Sequence, residues 1–140
     1  MRYYFACGSK PVSLDPLGAP KMIDLEQRIE HELSFFASDE QREAFRRFLV
    51  SPVQSIQSWQ YGPQSHPCTI VASDGATQIV YCPTGFGPSF PWSAQRVGET
   101  DLGRDDYWDA YLYEAFVCSR LWPHGAPKGL IHLALGDRRA

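Results

Sequence analysis

A length of 140 residues suits one domain, which at this size buries about two-thirds of its unfolded surface. Hydrophobic residues at 44% and charged residues at 21% describe a folded chain, 1–140, within the ordinary soluble range. A net charge of −3, with basic pairs only at Arg46–Arg47 and Arg138–Arg139, argues against a nucleic-acid binder, which needs a basic stripe to displace counterions. No apolar run approaches the roughly 18 residues of a membrane span. The five apolar residues before Cys7 are too few for a secretory signal. The expected compartment is therefore cytoplasmic, where Cys7, Cys68, Cys82 and Cys118 read as free buried thiols rather than a disulfide framework.

In chain order, Tyr3–Cys7 is a short β-prone run and Lys10–Pro20 an extended connector. Asp24 with Gln27 forms a variant capping box opening a first helix. Met22, Leu25, Ile29, Leu33 and Phe36 fall in one narrow arc of its wheel. Phe45, Phe48 and Leu49 would rotate out of that arc, and Ser38 with Gln41 supplies a second capping box at the mismatch. The sequence thus predicts a break near Ser38 and a second helix reaching about Val50, with Asp39 and Glu40 at its positive end and Arg46 and Arg47 at its negative end. Val53–Tyr61 alternates as a half-exposed strand. Cys68–Ser73 and Thr77–Cys82 flank Asp74-Gly75, the best hairpin signal in the chain. Pro83–Gln95 reads as a stiff aromatic loop. A ring-rich helix follows from about Asp105, which is its predicted N-cap, to Trp122. Leu130–Leu135 gives a last strand. The predicted fold is α+β: one domain, with a mostly antiparallel sheet of about four to five strands packed by the N-terminal helices and the aromatic C-terminal helix.

No motif identifies a reaction. The Pro83–Gln95 loop lacks the GxGxxG or the lysine and hydroxyl that a phosphate cradle requires. His66-x-Cys68, with Cys82 and Cys118, has no CxxC or HxxxH companion, and the acids near residue 105 lack EF-hand spacing, so no metal and no cofactor is expected. There is no GxSxG elbow, Cys7 lies in an apolar run that makes a thiol inert, and no catalytic residue is assigned.

The distinctive feature is acidic. Glu99, Asp101, Asp105, Asp106 and Asp109 lie within eleven residues, relieved only by Arg104. On a helical wheel Asp106, Asp109, Tyr113 and Arg120 form a polar strip opposite Trp108, Leu112 and Phe116. Dense acids beside rings suit a docking surface for a basic protein, supplying both steering and anchors. The expected partner-binding residues are Glu99, Asp101, Asp106, Asp109 and Tyr113, together with Phe86, Phe90 and Trp92 of the stiff loop. The expected function is a small cytoplasmic binding protein without catalysis, of the immunity or antitoxin kind, neutralising a basic toxin. The alternatives are a small enzyme or ligand-binding domain centred on Pro83–Gln95, and a homodimer formed through exposed rings.

Overall fold

A computed structural model describes residues 22–127. The β-prone segments Tyr3–Cys7 and Leu130–Leu135 lie outside the described residues. The elements are α1 (Met22–Leu33), α2 (Asp39–Arg46), β1 (Leu49–Ser58), β2 (Ser65–Ser73), β3 (Thr77–Tyr81), β4 (Trp92–Arg96), a 3-10 turn at Asp105–Tyr107 and α3 (Leu112–Val117). The four strands form one antiparallel sheet in sequence order, so the fold is α+β. Among the described residues no helix is long and apolar enough to cross a membrane.

The break between the first two helices sits at Ser38. Its Oγ accepts the Gln41 N–H at 3.2 Å, and Gln41 Oε1 accepts the Ala37 N–H at 3.1 Å. The first satisfies an orphan donor of the helix start, and the second ties the chain just before the cap to it. Leu25, Ile29, Leu33 and Phe36 are all buried. α2 stops at Arg46, four residues short of the predicted end. Beyond it the Phe48 carbonyl accepts the Ser73 N–H at 2.9 Å, which starts β1 at Leu49 instead of Val53. The ladder then slips: Leu49 faces Ala72 and Val53 faces Ile70, leaving Val50, Ser51 and Pro52 opposite Val71. Pro52 thus occupies a bulge, where a missing N–H disrupts the ladder least.

The Asp74-Gly75 hairpin is present. Asp74 Oδ1 accepts the N–H groups of Ala76 and Thr77 at 2.9 and 2.8 Å, and these bonds hold its carboxyl below the usual range. Gly75 takes φ +93°, which a side chain would resist.

Two stretches fold otherwise than the sequence predicts. Residues 92–95, expected in the aromatic loop, belong to β4, where Tyr81 pairs with Trp92, Ile79 with Ala94 and Gln78 with Gln95. The ring-rich segment is not one helix: a 3-10 turn, an antiparallel bridge from Asp109 to Trp92 and the six-residue α3 replace it. Trp108 and Phe116 are eight residues apart and would share one side of a continuous helix. Here they belong to separate clusters. Phe116 packs with Leu25, Phe45, Ile79, Tyr81 and Trp92 under the helices. Trp108 packs with Cys68, Val80, Cys82 and Leu102 on the other face of the sheet. The chain must unwind near Asp109 to feed both. β3 is consequently buried at every position.

Candidate functional site

The segment 99–109 covers the face of the sheet away from the helices and ties the two outer strands together. At one end Ser58 of β1 donates its N–H to Thr100 O at 2.9 Å and accepts the Leu102 N–H at 2.9 Å. At the other, Asp109 and β4's Trp92 exchange backbone bonds of 2.7 and 3.2 Å. Between them the Trp108 Nε1 donates to Leu102 O at 2.8 Å, and Ser93 Oγ donates to Tyr107 O at 2.7 Å. Beneath this strap Gln57 and Gln95 exchange reciprocal amide bonds of 2.8 and 2.7 Å.

Much of the predicted acidic cluster is used to build this strap. Glu99 Oε1 accepts the N–H groups of Thr100 and Asp101, both at 3.1 Å. Asp101 accepts from Ser58 Oγ at 2.8 Å and from Gly103 N–H at 2.7 Å. Asp106 pairs with Arg104, whose Nε lies 3.0 Å from Oδ1. That pairing raises the arginine further above its ordinary value, and the guanidinium lies over the Tyr107 ring at 5.3 Å. The N-cap of the 3-10 turn is Arg104, so Asp105 is its first residue and not its cap.

The eight residues predicted to bind a partner do not form one surface. Glu99 and Asp106 are exposed and Asp101 is partly so. Asp109, expected on the solvent side, is only 3% exposed, because its backbone has been drawn into the bridge to β4. Trp92 is fully buried, its ring tilted at 48° to that of Tyr81 with centroids 4.6 Å apart. Phe86 and Phe90 are half-buried and pack against the Trp108 cluster, so the stiff loop serves as cover for the sheet. Tyr113 stacks on Tyr111 at 5.7 Å and meets Phe36 edge-on at 6.4 Å, on the helical side of the sheet and away from the acids.

Exposed apolar residues occur on β1 and just after it, and two of them, Ile56 and Tyr61, lie within three residues of Ser58, where the acids attach. Val53 and Ile56 of β1 and Tyr61 just after it are each more than half exposed. Ile56 is two residues from Ser58, the residue bonded to Asp101. Tyr61 packs on Phe86 at 6.1 Å and Trp59 at 5.7 Å. The signal was visible: Val50, Val53 and Ile56 are spaced in threes, so period-two pleating cannot bury them all on one face.

A second cluster lies under the same cover. Cys68 and Cys82 are free and buried. Cys82 Sγ is 3.8 Å from Thr84 Oγ1, which is 3.1 Å from His66 Nδ1. The buried His66 Nε2 has no hydrogen-bond partner among the described residues, and its ring meets Trp59 edge-on at 5.7 Å. No group of three or more His, Cys, Asp or Glu among the described residues is placed to hold a metal ion.

Comparison with protein-family models, with curated proteins and with solved structures finds no match to this chain.

Proposed function

We propose that the chain is a non-catalytic binding protein that engages a basic protein partner, in the manner of an immunity or antitoxin protein neutralising a basic toxin. The observation that carries this reading is the junction at Ser58. Hydrogen bonds to Thr100, Asp101 and Leu102 tie the end of β1, two residues from the exposed Ile56 and three from the exposed Tyr61, to the acidic turn of Glu99, Asp101, Asp105 and Asp106. Apolar anchors ringed by like charge supply contact area together with electrostatic steering. Tyr113 and Asp109 drop out of this surface; Ile56 and Tyr61 enter it.

The test compares the wild type with two surface variants, Ile56→Ser and Asp105→Asn/Asp106→Asn, as bait for partners in the native source. A basic protein held by the wild type should bind Ile56→Ser at least about tenfold more weakly. The charge variant should mainly lose on-rate at low salt, by about tenfold. Expressed in a test host, the captured protein should arrest growth, and the wild-type chain should rescue it better than either variant. A partner that is acidic, or one bound equally well by all three proteins at low salt, defeats the proposal.

A further inference from the structure

Two thiols face each other beneath the strap, and nothing in the binding reading uses them. The β2–β3 ladder pairs Thr69 with Tyr81, so Cys68 and Cys82 stand directly opposite across neighbouring strands. The Cys82 N–H donates to Pro91 O at 2.8 Å, toward β4 and away from β2. The cysteines are therefore a non-hydrogen-bonded pair. Opposed Cα atoms in such pairs lie about 4.5 Å apart, inside the span of roughly 4.4–6.8 Å that a disulfide bridges.

The surroundings make the two sulfurs unequal. The neighbouring Cys82 sulfur, joined by burial, raises Cys68, whose Sγ donates to the His66 carbonyl at 3.9 Å. Cys82 is lowered by the Cys68 thiol opposite it, then by the Thr84 hydroxyl and the backbone N–H groups of Gly85 and Thr84, with burial opposing. Donors converging on one sulfur favour its thiolate, which is the reactive form.

We propose that Cys68 and Cys82 are a redox site that a peroxide closes into a cross-strand disulfide. The Cys82 thiolate attacks one oxygen of hydrogen peroxide, the O–O bond breaks, and the departing hydroxide takes a proton to become water. Cys82 is then a sulfenic acid. Cys68 Sγ attacks that sulfur, the S–O bond breaks, and the hydroxyl leaves as water with the proton from Cys68. Two thiols are oxidised and one peroxide is reduced to two waters.

The test uses the full chain and hydrogen peroxide in modest excess, followed by alkylation in denaturant and peptide mapping. Cys118, a free buried thiol in the helical cluster, is the internal reference. A linked Cys68–Cys82 peptide should accumulate, with free Cys82 lost about tenfold faster than free Cys118, and dithiothreitol should restore both thiols. In Cys68→Ser the linked peptide should vanish and dimedone should trap Cys82 as the sulfenic acid. Equal loss of Cys82 and Cys118, or a linked peptide formed only after denaturation, overturns the proposal. The wild-type map decides the matter even if the variant does not fold.

Discussion

Glu32 Oε1, on α1, accepts the Leu112 N–H at the start of α3 at 2.8 Å. The residues are 80 apart in the chain, yet the carboxylate does for α3 what a local cap does for most helices. Its other oxygen meets Arg28 Nε at 3.3 Å, and the side chain is only 1% exposed. Glu32→Ala strands a buried N–H and should cost about 1–3 kcal/mol in denaturant unfolding. Glu32→Gln keeps the acceptor and should lose less.

The same residue sets a pH dependence. Burial raises the Glu32 carboxyl above its ordinary 4.5, with the Leu112 N–H and Arg28 pulling the other way. The folded protein then binds this proton more tightly than the unfolded chain, so the group's contribution is full below pH 4.5 and is lost as pH rises through the folded value. Unfolding free energies taken across that window should therefore fall with pH in the wild type relative to Glu32→Gln. A difference between the two that does not change with pH would refute the assignment.

The buried amides of Gln57 and Gln95 should behave as a unit. Gln95→Met leaves Gln57 Oε1 without its donor, although Gln57 Nε2 keeps Ser55 Oγ at 3.3 Å. Gln57→Met leaves Gln95 Nε2 without its acceptor, although Gln95 Oε1 keeps Gln78 Nε2 at 3.4 Å. Each change should cost about 1–3 kcal/mol. The double variant removes both needs at once. Its loss should be smaller than the sum of the two single losses by about 1 kcal/mol or more, because contacting residues couple. Additive losses would mean that the two amides do not depend on each other.

Gly85 lies close against Leu102 of the strap and the Cys82 thiol. A Cβ built there lies 3.0 Å from Leu102 Cδ1 and 3.4 Å from Cys82 Sγ, and Leu102 is buried at 2% exposure. Gly85→Ala should destabilise by about 1–2 kcal/mol through overpacking, which a thermal melt would register. A melt unchanged from wild type would show that the loop has room to retreat.

Local signals were readable, and non-local ones were not. Ser38 with Gln41, the arc of Leu25 to Phe36 and the Asp74-Gly75 hairpin are complete within a few residues, and all three appear in the structure. β4 was missed because Ser93, Ala94 and Gln95 have weak β-propensity, and Trp92 follows a run of prolines and rings. The C-terminal helix was overextended because Trp108 and Phe116 obey helical spacing while serving opposite faces of the sheet. Asp109 was misjudged for the same reason, since a bridge to Trp92 leaves no mark in its neighbours. Of the acids, spacing revealed the cluster but not its internal use: Glu99 and Asp101 spend their oxygens on nearby backbone N–H groups and on Ser58.

The strap also bears on how a partner can be recognised. An outer strand usually invites another chain to add alongside it through main-chain bonds. Here a strand arriving at the end of β1 would have to displace Thr100–Leu102 from Ser58, and one arriving at the start of β4 would have to displace Asp109 from Trp92. At both places the backbone is already read by the chain itself. At these two ends a partner of the proposed kind would be recognised through side chains, which vary freely by mutation, so its identity could change without altering the sheet.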